Sequence, residues 1–405
     1  MKLPDFLKEN PSLAFFALLA TATSGFGQTF FFSVFGSGIR DTFVLSNSAY
    51  GLYYGLATLL SATLLLYLGP LADRWALRNV TALAVLLLAT GCLMIGLAPH
   101  WSLLIPGFLL ARLGGQAMLS HLGMTVAGRY FGRSRGRIMA LTASGFPIAE
   151  AILPASAGLI MVWAGWRLPW LLAVAFLLLV ALPVLLFLSR RAAHPGAVLA
   201  AGGDDIAGGM TRGEVLRDPG FYRILPAALM VPFTVTAMLF HQTAIADLRD
   251  WPAERVATAF TGFALGHFLS LFVAGPLVDR IGARRALMMG LAPIFSGLLV
   301  LAVSNALWTP YLYLMLTGTS LGFVGAAGGA IWPERYGIRH IGAIRSVAQA
   351  AMVLSTALSP VLVGALLDMG MATTGLALTL AVMVLLSVAL AATVKPPAGQ
   401  SRAWR

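Results

Sequence analysis

The chain has 405 residues, 59% hydrophobic and 10% charged, with a mean hydropathy of +0.86 and a formal net charge of +12. Ordinary soluble domains are about 45–50% apolar and about a quarter charged, so disorder and a soluble fold are excluded and a polytopic helical membrane protein is implied. The single cysteine, Cys92, excludes an internal disulfide and any multi-cysteine metal cluster.

Apolar runs bounded by Pro, Gly and charge clusters predict spans near 12–37, 47–69, 79–98, 101–127, 138–163 and 167–189 in the first half. The second half repeats the pattern near 221–246, 254–276, 286–304, 307–333, 343–368 and 372–394. Between them, the stretch 190–220 carries Pro195, Gly202, Gly203, Asp204, Asp205, Gly208 and Gly209 and reads as a polar linker. The expected organisation is therefore a six-helix bundle over 1–189, a cytoplasmic linker over 190–220, and a six-helix bundle with a short cytoplasmic tail over 221–405. The opening run from Pro11 to Phe35 is too long for the apolar core of a signal peptide and reads as a retained first span.

Span 1 places Thr21, Ser24 and Gln28 on one stripe, which makes Gln28 a candidate substrate contact or an interhelical hydrogen-bond donor. Tyr50, Tyr53 and Tyr54 open span 2 and read as an aromatic belt at the outer interface. Span 4 carries Arg112, and Gln116 follows one turn later across Gly114 and Gly115. His121 falls on the opposite face of that helix. Span 5 carries Glu150 between Pro147 and Pro154.

An ionised side chain near the bilayer centre costs about 2.5–3.5 kcal/mol on insertion scales, so Arg112 and Glu150 are functional candidates. At about 1.5 Å per residue they lie at comparable depth on consecutive antiparallel helices. Two readings stand: a mutually neutralising structural pair, or Arg112 as bidentate anchor for an anionic substrate with Glu150 as proton carrier. In the second half, His241 with Gln242 on span 7 and His267 on span 8 are candidates for proton gating or for hydrogen bonds to substrate, and packing histidines are the plain alternative. Span 11 aligns Ser346, Gln349 and Thr356, adding Gln349 to the candidate contacts.

The basic residues divide by side. All of the 27 Lys and Arg fall in loops of one side except Arg40, Arg167, Arg249 and Arg255 on the other and Arg112 inside a span. That side is therefore expected to be cytoplasmic, with both termini inside, in a cell (inner or plasma) membrane. The net charge is then a topology signal, and no nucleic-acid partner is implied.

A shift of 206 residues superposes Gly69-Pro-Leu-Ala-Asp73-Arg74 and Arg78 on Gly275-Pro-Leu-Val-Asp279-Arg280 and Arg284. The same shift pairs Arg129 with Arg335, Tyr130 with Tyr336, Arg133 with Arg339, Pro154 with Pro360 and Gly158 with Gly364. Two parallel repeats related by an axis along the membrane normal, with a substrate cavity between them, are expected.

The loop motif G-x-x-x-D-R-x-G-x-R-R, complete at Gly275, Asp279, Arg280, Gly282, Arg284 and Arg285, resembles that of the major facilitator superfamily. The first copy departs from it, with Ala76 at the second glycine and Asn79 at the last arginine. The resemblance covers essentially the whole chain and implies an all-α fold of twelve transmembrane helices in two six-helix bundles, working by alternating access. It implies that Gly69, Asp73, Arg74, Arg78, Gly275, Asp279, Arg280 and Arg284 form a conformational gate whose ion pairs exchange at the helix ends. The arginine-glycine pattern from Arg112 resembles the fourth-helix motif implicated in proton transfer. In this family spans 3, 6, 9 and 12, here nearly free of polar side chains, are outer lipid-facing supports.

The segment Tyr130-Phe131-Gly132-Arg133-Ser134-Arg135-Gly136, with Ser359-Pro360 on span 11, is similar to the monocarboxylate and oxalate-type branch, although span 8 offers His267 and Ser270 where that branch holds an arginine. The expected function is proton-coupled transport of a small organic anion such as a monocarboxylate, by a monomer without cofactor or metal. Efflux of drug-like or hydrophobic compounds by proton antiport is the alternative, favoured if Phe30, Phe31 and Phe240 line the cavity and Arg112 closes on Glu150. A non-transporting sensor would be expected to add a soluble domain, and an enzyme would need an HExxH, phosphate-loop or paired-acid motif that the sequence lacks.

Overall fold

The computed structural model describes residues 10–69, 71–131, 135–190, 192, 210–337 and 340–394. Arg133, Arg339, the side chains of Asp73, Arg135 and Gly136, and the glycine-rich part of the linker lie outside the described residues. The chain separates into two compact units, Met1–Gly203 and Asp204–Arg405.

In the first unit the spans are α1 (Pro11–Gly27 and Thr29–Phe43, meeting at a 40° bend), α2 (Asn47–Leu68), α3 (Leu77–Gly96), α4 (Trp101–Arg129), α5 (Arg137–Ala164) and α6 (Arg167–Ser189). The second unit holds α7 (Pro219–Phe240), α8 (Ala253–Ile281), α9 (Ala283–Val303), α10 (Thr309–Tyr336), α11 (Ile344–Asp368) and α12 (Thr373–Ala392). Each is long and apolar enough to cross a bilayer, counting the bent pair as one span, and no β-strand occurs among the described residues. Helices are the form this sequence takes because a bilayer supplies no water to backbone groups, so each segment satisfies its own.

Both units begin with the same cap. Asn10 accepts a hydrogen bond from Leu13 N–H at 3.2 Å and Pro11 follows, while Asp218 accepts from Gly220 N–H at 2.9 Å and Pro219 follows. A short polar acceptor before proline fixes a helix start, because proline's missing N–H is unneeded in the first turn. Arginines close two of the helix ends. Arg167 donates to Ala98 O at 2.7 Å beyond α3, and Arg249 donates to Leu301 O at 2.8 Å in the last turn of α9. These two charges satisfy carbonyls that the helices cannot satisfy themselves.

The closest helix crossing in the second unit is built from small residues. A Cβ on Gly262 would lie 2.9 Å from Tyr311 O, and one on Gly322 would lie 3.0 Å from Ser270 Cβ, so α8 and α10 meet backbone to backbone. The four apolar spans are not equally peripheral. In its apolar stretch α6 is 22% buried, whereas α3 and α9 are 56% and 50% buried because they pack on α4 and α10.

The two copies of the loop motif differ in backbone. Gly282 adopts φ +82°, which favours glycine, while Ala76 sits in an extended conformation at φ −58°, ψ 138°. The departure of the first copy from the motif is thus matched by a turn that does not need glycine.

Candidate functional site

The fully buried Arg112 closes the α-helical first part of α4, and Leu113–Leu119 then form a π-helical turn. Such turns insert a residue into the helical ladder and often sit at functional sites. Here the turn faces the break in α1, where Ser24–Gly27 narrow to a 3-10 turn and Gln28 is extended at φ −92°, ψ 157°. A Cβ on Gly115 would lie 2.7 Å from Gly27 Cα, so only glycine permits this approach.

Arg112 is 1% exposed. Its guanidinium donates to the Tyr54 hydroxyl and its carbon lies 4.3 Å from the centroid of the Tyr54 ring. The Tyr54 hydroxyl in turn stands 2.6 Å from Thr29 Oγ1. Arg112 Nε is buried without a hydrogen-bond partner among the described residues. No ion pair joins Arg112 to Glu150 among the described residues, so the mutually neutralising pair is not the arrangement found.

Tyr54 escaped the sequence reading. An aromatic belt was expected, yet Tyr50 and Tyr54 are fully buried and only Tyr53 stays at the rim, stacked on Trp101 at 5.3 Å. The spacing alone gave little signal, since both Tyr53 and Tyr54 lie about one turn from Tyr50.

Glu150 is 3% exposed on α5. Its neighbours Ala149 and Leu153 press on the break in α1, where a Cβ on Gly25 would lie 2.6 Å from Ala149 Cβ. The π turn that follows Arg112 on α4 and the neighbours of Glu150 on α5 therefore pack on the same broken segment. Under the break, Trp170 of α6 packs against Phe31, Phe32 and Phe35 at ring-centroid distances of 4.9, 5.2 and 4.6 Å. Gln28 and Gln116 are half-buried, at the break and in the π turn respectively.

The second unit gathers polar side chains at the end of α7. His241 Nε2 lies 2.7 Å from Pro360 O of α11, and Gln242 Oε1 accepts from the Tyr313 hydroxyl of α10. Gln242 Nε2 is buried without a hydrogen-bond partner among the described residues. His267 is buried with its ring 6.3 Å from that of Phe263, and Gln349 is exposed.

Of the gate residues, Arg74, Arg78, Asp279 and Arg280 are exposed. Gly69 caps α2, and Gly275 lies within α8 with space around it. Arg284 donates to Val394 O at 2.7 Å and Ala392 O at 3.2 Å, closing the end of α12. Sequence reasoning missed a neighbouring clamp. Arg335 pairs with Asp218 at 2.8 Å, the Tyr336 hydroxyl donates to the same carboxylate at 2.8 Å, and Glu334 accepts from Ala283 N–H at 2.8 Å. Partial burial opposes ionisation of Asp218, but hydrogen bonds from Gly220 N–H, Tyr336 and Arg335 together with the Arg335 charge outweigh it and hold the carboxyl below its ordinary range. In the first unit the equivalent arginine, Arg129, instead donates to Ala72 O of the α2–α3 loop at 3.0 Å.

The sequence matches the Major Facilitator Superfamily over residues 17–257 and 233–404. In fold the chain is similar to a bacterial homologue of the human lysosomal transporter Spinster, in an inward-facing, unoccupied conformation, at 16% identity, 94% coverage of this chain, 96% of that chain and a TM-score of 0.71. It is also similar to the nucleoside transporter NupG at 13% identity, 95% coverage of this chain, 100% of that chain and a TM-score of 0.70. At these identities the likeness is one of fold. No curated protein sequence matches the chain. The family match runs over nearly all of the sequence and agrees with the repeated loop motif and the twelve apolar spans, and the chain belongs to the major facilitator superfamily, a family of membrane transporters.

Proposed function

We propose that the chain is a monomeric, proton-coupled secondary transporter of a small organic anion, such as a monocarboxylate, working by alternating access in the inner (plasma) membrane with both termini cytoplasmic. One observation carries the reading: Arg112 is buried at mid-span, its side-chain partner is a neutral phenol, and its Nε has no partner among the described residues. A buried cation is costly unless something compensates its charge. A carboxylate binding the guanidinium in fork geometry supplies that compensation.

Glu150, buried on α5 beside the residues that press on the broken helix, is the proton carrier. Gln28 and Gln116 are the adjoining polar contacts in the first unit, and His241, His267 and Gln349 contribute from the second. Gly69, Asp73, Arg74, Arg78, Gly275, Asp279, Arg280 and Arg284 act as the gate. Against the efflux alternative, Arg112 bonds Tyr54 and not Glu150 among the described residues.

The test is uptake of radiolabelled lactate and pyruvate into proteoliposomes, with and without a pH gradient. Arg112→Ala abolishes transport with expression retained. Glu150→Gln keeps anion exchange and loses accumulation driven by the gradient. Movement of lipophilic cations with no anion transport would sink the proposal.

A further inference from the structure

A guanidinium donates hydrogen bonds and accepts none, so the phenol oxygen is the acceptor in the Arg112–Tyr54 pair. Thr29 Oγ1 stands 2.6 Å from the same phenol oxygen, in a hydrogen bond in which either hydroxyl can donate. The three side chains form a hydrogen-bonded chain from α4 through α2 to α1. Thr29 is the first helical residue after Gln28, the point at which α1 breaks. The residue before the break, Gly27, lies against the π turn that follows Arg112. The broken segment of α1 is therefore tied to α4 on both sides of Gln28, by hydrogen bonds on one side and by backbone packing on the other.

We propose that Tyr54 is a placeholder ligand of Arg112 that couples anion binding to the outer half of α1. The inference rests on Arg112 being the anion anchor. A carboxylate is a stronger acceptor than a neutral hydroxyl, both for the guanidinium and for the phenolic proton. On arrival it takes the place of the Tyr54 oxygen on Arg112 and accepts the Tyr54 proton in a hydrogen bond, drawing the hydroxyl away from Thr29. No covalent bond changes, and the net exchange is of hydrogen-bond partners alone. Thr29 loses its tie to α2, and the segment beyond the break is released from that tie by the substrate itself. The Tyr54 ring stays over the guanidinium, so the hydroxyl is the part exchanged.

The experiment measures equilibrium binding and exchange of radiolabelled lactate and pyruvate by the full-length protein in proteoliposomes, for wild type, Tyr54→Phe, Thr29→Val and the double variant. Tyr54→Phe keeps the ring and removes the competing hydroxyl. Its dissociation constant is expected to stay within about threefold of wild type or to fall, while its exchange rate drops by at least about tenfold. Thr29→Val shows the same split and leaves Arg112 and Tyr54 intact, so it carries the test if Tyr54→Phe folds poorly. The double variant is no slower than the slower single variant, because both remove one bond. Wild-type exchange rates in both single variants, or parallel losses of affinity and rate in Thr29→Val, overturn the placeholder role while leaving the anion anchor standing. Absence of binding by wild type overturns both.

Discussion

At the scale of single residues, the buried charges were legible in the sequence and their partners were not. Arg112 and Glu150 stand out because charged side chains are rare inside spans, whereas the partner of Arg112 depends on how α1, α2 and α4 pack. Tyr54 looked like one of three interfacial tyrosines until its face of the helix was known. The Asp218 clamp was hidden for another reason: its members are separated by more than a hundred positions and no motif joins them. It yields a pH prediction. The folded carboxyl is held below its ordinary value of about 3.9, so the clamp stabilises the protein fully above that value and the benefit is lost as pH falls through the depressed one. Hydrogen bonds to a charged group are worth about 1.5–3 kcal/mol, and the lower end applies because the Asp218 side chain is 19% exposed. Thermal unfolding in detergent should show wild type above Asp218→Asn at pH 7, with the two curves converging in strong acid.

Helices and their junctions show where pattern reading stops. Apolar runs marked every span, since the length of a bilayer crossing is a one-dimensional property. The break at Gln28 and the π turn after Arg112 are products of two helices meeting, and neither helix alone dictates them. The glycines that permit the crossing were visible, but many glycines in the chain have no such duty. Gly275 and Gly282 make the contrast testable within one motif. Gly275 lies inside a helix with open space around it, so Gly275→Ala should raise thermal stability slightly, by up to about 1 kcal/mol. Gly282→Ala places a side chain at φ +82° and should cost about 1–2 kcal/mol, read as a lower unfolding temperature. The reverse change in the other copy, Ala76→Gly, should have a small effect, because that turn is already extended.

For the whole molecule, the internal repeat and the distribution of arginines carried most of the fold, because both are periodic or cumulative features of the sequence. Orientation follows from the same charges. Alkaline phosphatase fused after Asn305 should be active and the same enzyme fused within 193–209 inactive; the opposite result would reverse the proposed topology. The units nonetheless differ in chemistry, with Arg112 and Glu150 buried in the first and His241, Gln242 and Tyr313 in the second. That division bears on how the chain is made. The fourth span is among the least hydrophobic and carries Arg112 at its middle, so it partitions poorly from the translocon into lipid as an isolated helix. Tyr54 lies on a span synthesised two crossings earlier, and its hydroxyl and ring are the groups that receive the guanidinium. The second span must therefore wait beside the translocon until the fourth arrives, and insertion of the first unit becomes a cooperative event rather than six independent ones.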